Sequence, residues 1–444
     1  MSGPGQFRFD PALCCGCEAC VLACRLEHGP AQALPWRRVY TFNATHFPHL
    51  PVFHLSLGCG HCRHPVCLEL CPAGAYRADP DTGVVVHLAE RCMGCRLCAL
   101  ACPLEAPRFD PARGTAEKCG FCADRQKRGL EPACAAWCPV GALGFEPRPG
   151  VAAAGYGNGA LPGFPPSPLG PAIRIVKGLR PPPLTTAPPQ RGLLERCRRG
   201  LAQVPEPRIT AQGECSLVAF TTLLALLVAV TAAWAAGAAP PPQPWPLLWT
   251  GALCLSLAFW HLGRPLRAWR ALGNLRRSWL SREAALVLGF LMLAALGALA
   301  PSRVLGWAAA TIGFAVLFAV DRVYQAALRT SRLDFHSAHA LSTGLYLIGL
   351  LAGSWQLALG AGALKAALYL HRKFHFRRRG RNVRPALSLA RLALGFVVPA
   401  LAFGGWPAVL AAVLGDLVDR WEFYGELEVP SPAGQMARDL EAMV

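Results

Sequence analysis

From Ser216 to Ala239 the chain runs for 24 residues without a charged side chain. A helix of about 20 apolar residues crosses the hydrocarbon core of a bilayer, so this stretch predicts a membrane-crossing helix. Further apolar runs follow at about 244–262, 284–302, 304–320, 335–353, 355–371, 387–404 and 405–419. Together they predict an all-α transmembrane bundle of about eight helices over residues 215–420, with a tail at 421–444. The pattern before residue 215 is different. Residues 1–146 form a cysteine-rich domain, and residues 147–214 are dominated by proline and glycine ("PRPGVAAAGYGNGALPGFPPSPLGP", "RPPPLTTAPPQ"), which predicts an extended arm and linker.

The connections between the apolar runs alternate in charge. Segment 263–283 carries six arginines, 321–334 carries three, and 372–391 carries seven arginines and a lysine. The opposite connections, "PPPQPWP", "APSR", "AGS" and "GGWP", share a single arginine. Because positive loops stay on the cytoplasmic side, the basic loops, the cysteine domain and both termini are expected to face the cytoplasm of a multi-pass inner-membrane protein. A net charge of +18 over 444 residues also suits nucleic acid, but 53% hydrophobic and only 16% charged residues favour the bilayer. The basic excess lies largely in membrane loops, so no nucleic-acid partner is expected.

Seventeen of the twenty cysteines precede residue 139. The opening "MSGPGQFRFDPALCCGCEAC" has no apolar signal-peptide core. In the cytoplasm clustered cysteines bind metal more often than they form disulfides. Four groups recur. Cys14, Cys17, Cys20 and Cys24 follow C-x2-C-x2-C-x3-C; Cys59, Cys62, Cys67 and Cys71 follow C-x2-C-x4-C-x3-C-P. Cys92, Cys95, Cys98 and Cys102 repeat the first spacing, and Cys119, Cys122, Cys134 and Cys138 follow C-x2-C-x11-C-x3-C-P. Three thiolates on a tight loop grip three irons of a cubane. The fourth, expected to begin a helix, points at the neighbouring cluster, as in bacterial ferredoxins. Four such groups predict an α+β, double ferredoxin-like domain with four [4Fe–4S] clusters. Structural zinc also uses C-x2-C pairs, but it does not explain four groups that repeatedly end in Cys-Pro. Cys15 reads as a spectator, and the isolated Cys197, Cys215 and Cys254 as small apolar residues.

The stretches "LSLGCGHCRHPVCLELCP", "RCMGCRLCALACPLEAPRFD" and "KCGFCADRQKRGLEPACAAWCPVGAL" resemble the four-cluster electron-transfer subunit of the dimethyl sulfoxide reductase family of molybdenum enzymes. "HLGRPLRAWRALGNLRRSWLSRE" resembles that family's membrane anchor, here fused to it. The resemblance implies a ligand pairing. Cys14, Cys17 and Cys20 would share a cluster with Cys138, and Cys119, Cys122 and Cys134 with Cys24. Cys59, Cys62 and Cys67 would share one with Cys102, and Cys92, Cys95 and Cys98 with Cys71. It further implies that the Cys92 group lies nearest the membrane, the Cys14 group nearest a separate molybdopterin-containing catalytic subunit, and that the anchor exchanges electrons with menaquinone or ubiquinone without haem. The family's quinone-site positions match His261, Gly263 and Glu283.

The chemistry agrees with that match. Quinol oxidation releases protons with its electrons, and an imidazole can both hydrogen-bond a quinone oxygen and accept a proton. A carboxylate at Glu283 can pass the proton on, Gly263 admits the ring close to the backbone, and Arg264 can hold a carbonyl oxygen. The other arginines of 263–283 report topology. Lys365 and Asp416 also interrupt apolar runs. The simpler readings are a lysine snorkelling to the basic side and an aspartate at a helix end, against a part in redox-linked ion translocation. An anchor fed by soluble carriers, without quinone chemistry, is a further alternative. His336, His339, His371 and His375 form no clear haem-ligating pair on two helices. Attachment of the cysteine domain to a bundle with basic loops inside favours a cytoplasm-facing member of the family, such as the membrane-bound sulfite dehydrogenase type.

Overall fold

The computed structural model describes residues 5–29, 34–44, 46, 50–147, 161, 164, 169–176, 210–327, 336–378, 384–402, 405–427 and 429–443. It divides into two compact units, Met1–Glu206 with Val429–Val444, and Pro207–Glu428. Most of the 147–214 arm, including Cys197, lies outside the described residues, as do parts of the basic loops 321–334 and 372–391.

The first unit is built on strand β1 (Gly5–Phe9), which pairs antiparallel with β8 (Leu143–Pro147) and parallel with β9 (Ile173–Ile175). Strand β9 lies inside the segment expected to be a loose arm. Its Ile-Arg-Ile alternation gives it an apolar face that suits a sheet, so this part of the arm is structured. Glu146 of β8 accepts two 2.6 Å hydrogen bonds from Arg174 of β9 and one of 2.8 Å from Gln6 of β1, tying all three strands. Three antiparallel hairpins complete the unit: β2 (Arg38–Phe42) with β3 (Phe53–Leu57), β4 (Tyr76–Ala78) with β5 (Val85–His87), and β6 (Arg108–Asp110) with β7 (Thr115–Glu117). Phe7, Phe9, Phe42, Phe53, Leu55 and Phe121 form its core.

Five short helices carry the cysteines or adjoin them: α1 (Ala19–His28), α2 (Val66–Leu70), α3 (Leu97–Ala101), α4 (Ala123–Lys127) and α5 (Ala133–Ala136). α1 packs on α5 and α2 on α3. The fourth cysteine of a group does not begin a helix, contrary to expectation. Cys71 and Cys102 end α2 and α3 in extended conformation, and Cys138 follows α5. Proline at the next position disfavours helical geometry in the residue before it. Cys24 is followed by Arg25 instead, and α1 continues past it to His28.

The second unit contains nine α-helices among the described residues. They are α6 (Cys215–Ala235), α7 (Pro244–Trp260), α8 (Trp279–Leu299), α9 (Arg303–Ala327), α10 (Ala340–Leu351) and α11 (Trp355–Arg378), then α12 (Pro385–Leu392) running through a π-turn into α13 (Val398–Leu401), and α14 (Trp406–Glu426). Three of them, α6, α8 and α9, are long and apolar enough to cross a membrane; α7 with the 3-10 segment Pro265–Asn274, bent by 92°, makes a fourth if counted as one span. α6 is 67% buried along its apolar window against 33% for α8, so α6 is the central helix. Helices approach closely where side chains are small: a Cβ on Gly313 of α9 would lie 2.9 Å from Val228 of α6.

α11 and α14 carry charges within their apolar runs, and those charges are directed at each other. Lys365 and Asp416, 1% and 2% exposed, pair at 2.9 Å. Lys365 therefore does not snorkel: its ammonium also donates to Ser337 O (2.6 Å) and Thr343 Oγ1 (2.8 Å). Arg420 binds the other Asp416 oxygen at 2.7 Å, and Arg372 and Arg391 bind Asp419 at 2.9 and 3.1 Å. Gly395, within the π-turn Ala393–Val397, leaves room for Arg391, since a Cβ there would overlap its guanidinium.

The chain end also departs from expectation. The helix expected to stop at 420 runs to Glu426, and the residues expected to be a tail form α15 (Pro432–Met443), which belongs to the first unit. Met436 and Leu440 of α15 are buried in the core with Phe7 and Phe53. An amphipathic helix with an apolar stripe is stable only when that stripe is covered.

Candidate functional site: four cysteine groups and a buried carboxyl

Each C-x2-C loop turns at its second intervening residue, and all four of these residues have left-handed backbones: Gly16 (φ 74°), His61 (φ 40°), Gly94 (φ 76°) and Phe121 (φ 63°). The turn reverses the chain so that both cysteines face the same side. Glycine adopts it freely. At Gly16 a Cβ would also lie 2.7 Å from the His54 ring. The two side chains that adopt it, His61 and Phe121, are buried and stack on each other at 4.3 Å. His61 Nδ1 accepts the Val85 N–H at 3.1 Å.

The cysteines gather across the sequence groups. Cys14, Cys15, Cys17, Cys20 and Cys138 line one pocket with Phe9, Val39 and Ser56. Cys71, Cys92, Cys95 and Cys98 line another with Tyr76 and Met93. Cys119 interacts electrostatically with Cys24 and Cys134, and Cys122 with Cys134. Cys67 does so with Cys59 and Cys102. The four sets are also neighbours in order, since Cys20 reaches Cys134, Cys119 reaches Cys59, and Tyr76 lies by both Cys98 and Cys67.

The surroundings suit thiolates that bear a metal. Burial pushes the Cys95 thiol up to about 12 and raises Cys67 and Cys119 as well, so bare thiols here would stay protonated. A coordinating metal removes those protons. Backbone N–H groups of Ala75, Phe121 and Leu143 donate to Cys71, Cys119 and Cys138 sulfurs at 3.3 to 3.4 Å. A buried Arg37 lies within reach of Cys20, Cys24, Cys119 and Cys134 and donates to Ser56 Oγ (3.1 Å), which contacts Cys20 Sγ (3.3 Å). Lys118, buried beside Cys67, donates to Cys119 O at 2.9 Å. These donors and cations fit an anionic iron–sulfur centre, whose properties depend on hydrogen bonds to sulfur and on burial. Arg37, Lys118, Tyr76 and the His61–Phe121 stack were not singled out from sequence. Lys118 adjoins Cys119 and was findable; Arg37 has no local signal.

In the second unit His261 caps the carboxyl end of α7, and Gly263 and Arg264 form the bend that follows, with Arg264 exposed. Glu283 sits in the second turn of α8, whose first turn is capped by Ser278 Oγ accepting from Ser281 N. Glu283 is 8% exposed and has no hydrogen-bond or ion-pair partner among the described residues. It lies in electrostatic reach of Cys254 on α7, two helical turns before His261, and of Asp321 on α9. Cys254 is buried and Cys215 exposed. His336 stacks on His339 at 4.2 Å, and His371 meets His375 edge-on at 4.5 Å.

Comparison with known proteins matches residues 50–148 to the 4Fe-4S dicluster domain and residues 244–370 to the DMSO reductase anchor subunit (DmsC). One chain of the anaerobic dimethyl sulfoxide reductase of Haemophilus influenzae is 35% identical over 150 residues, 32% of this protein and 73% of the relative. Its Escherichia coli K12 counterpart is 36% identical over 149 residues, 32% and 72% of the two chains. One subunit of the sulfite dehydrogenase of Allochromatium vinosum is 33% identical over 157 residues, 31% and 65%. With both halves matched in one polypeptide, the protein belongs to the dimethyl sulfoxide reductase family, as its iron–sulfur electron-transfer subunit fused to its membrane anchor.

Proposed function

We propose that this chain relays electrons between the membrane quinone pool and a separate molybdopterin-containing catalytic subunit through four [4Fe–4S] clusters. The observation that carries the reading is the ordered succession of four cysteine sets, each drawing on more than one sequence group. The reading assigns the ligands as Cys14/Cys17/Cys20/Cys138, Cys24/Cys119/Cys122/Cys134, Cys59/Cys62/Cys67/Cys102 and Cys71/Cys92/Cys95/Cys98, with Cys62 assigned by its spacing in the sequence. When bound, the clusters supply one-electron carriers. The protein's part is to hold them in line, exclude water with the phenylalanine core, and offset their negative charge with Arg37 and Lys118.

The first set is the outlet to the catalytic subunit. Leu13, Leu22, Leu26, Trp137 and Val140, on the segments that carry it, are all exposed, and apolar surface of this kind marks a partner interface. The relatives are named as components of dimethyl sulfoxide reductase and sulfite dehydrogenase, which supports a catalytic partner of that type. At the membrane end, His261 hydrogen-bonds the quinone oxygen and takes its proton, Gly263 admits the ring, Arg264 holds a carbonyl oxygen, and Glu283 accepts the proton next. Eight crossings, with the cluster unit on the side of the basic loops, complete the reading.

The test is direct. His261→Ala and Glu283→Gln should each slow quinol oxidation roughly 100-fold, the scale of a lost acid–base group, with cluster EPR signals intact. Unchanged quinol oxidation would mean an anchor without quinone chemistry, fed by soluble carriers.

A further inference from the structure

Glu283 is a carboxyl more than nine-tenths buried, without a hydrogen bond or counter-ion among the described residues. A proton it accepts needs a next acceptor before a second can follow. The charged group in reach is Asp321, six residues before the end of α9. α8 and α9 are joined by a short turn and pack antiparallel, which sets the start of one beside the end of the other. Cys254 and Tyr324 are the other titratable groups facing Glu283.

Asp321 is held in place on both oxygens. Oδ1 accepts the Ala340 N–H at 2.7 Å and Oδ2 the Leu341 N–H at 3.1 Å, at the start of α10. His339 Nδ1 lies 3.2 Å from Oδ1. A carboxylate oxygen with a single N–H donor, as Oδ2 has, can still take a proton, and the imidazole beside Oδ1 can exchange one. Beyond His339 the environment reverses. His336 stacks on His339, is 6% exposed, and faces Arg372, Arg420 and Lys365. Those cations are already paired with Asp416 and Asp419, so that side offers His339 no acceptor for a proton.

We propose that Asp321 and His339 form the proton relay of the quinone site, taking protons from Glu283 and returning them to it at the carboxyl end of α9. The ion-paired cluster of Arg372, Arg420 and Lys365 marks the inner end of the relay. The inference rests on the quinone-site reading of His261 and Glu283. In the oxidising direction a hydroquinone loses two electrons, one to each of two oxidised clusters, and two O–H protons. Those protons pass in turn from Glu283 to Asp321 and on to the His339 imidazole, which hands them out of the site. In the reverse direction the same groups deliver two protons.

The experiment uses membrane vesicles carrying the full complex, with a short-chain naphthoquinol as donor and cluster reduction followed in a single turnover. Asp321→Asn, which still accepts an N–H bond at α10, and His339→Ala should each slow cluster reduction by about 10-fold or more and raise the solvent deuterium isotope effect. Asp321→Glu should retain the rate, and added imidazole should restore at least half of it in His339→Ala. Wild-type rates in Asp321→Asn and His339→Ala would overturn the route. So would slow rates with no isotope effect and no imidazole rescue, since those mark a purely structural role. Where Asp321→Asn fails to assemble, His339→Gln and the imidazole titration decide alone. Glu283→Gln separates the two layers: if it leaves the rate unchanged the quinone site itself is misplaced. If it slows the rate while the Asp321 and His339 variants do not, only the route fails.

Discussion

Two of the four C-x2-C turns are made by glycine and two by a stacked histidine and phenylalanine, and the difference sets how each loop responds to substitution. Gly16→Ala meets both a left-handed backbone, which costs about 1–2 kcal/mol for other residues, and the His54 ring at 2.7 Å. We expect it to deplete the first cluster while the Cys71/Cys92/Cys95/Cys98 cluster keeps its EPR signal. Full iron content after Gly16→Ala, with unchanged thermal loss, would rule the strain argument out. The glycines were legible as motif residues in "CCGC" and "CMGC". That His61 and Phe121 occupy the same conformation was not, because the stack that tolerates it joins residues far apart in the chain.

At the scale of elements, the apolar runs foretold where helices form but not how α11 and α14 recognise each other. Lys365 and Asp416 were visible as charges inside apolar runs; their pairing depends on helix contact, which hydropathy does not encode. Breaking a buried pair by removing one partner costs about 3–5 kcal/mol. Asp416 serves both Lys365 and Arg420, so Asp416→Asn should destabilise the bundle more than Lys365→Met. Thermal denaturation in detergent would show the ranking, and the reverse order would mean that Arg420 is neutralised elsewhere. The protein that folds as Lys365→Met should oxidise quinol at the wild-type rate. A loss confined to proton movement in sealed vesicles would instead revive ion translocation through this pair. The fourth cysteine was misjudged for a local reason: Cys-Pro was read as a cluster signature when it is also a helix stop.

For the whole molecule, the cysteine spacing conveyed the ferredoxin-like half and the long uncharged runs conveyed the helical half, because both patterns are local. What escaped was the contribution of distant segments, namely β9 from the arm and α15 from beyond the bundle. The basic loops predict the side on which the cluster unit lies. A protease added to inverted vesicles should cleave it, and the same protease should spare it in right-side-out vesicles. Cleavage from the outside would reverse the orientation.

The burial of Met436 and Leu440 against Phe7 and Phe53 couples the assembly of the two halves in time. Those two side chains leave the ribosome after every membrane helix described, so the core around the first cysteine set stays partly uncovered while the bundle inserts. Long-range contacts of this kind form late. Closure of the electron-transfer unit thus follows membrane insertion, and a molecule that has stalled in the bilayer still shows an open apolar face beside Cys14 and Cys20.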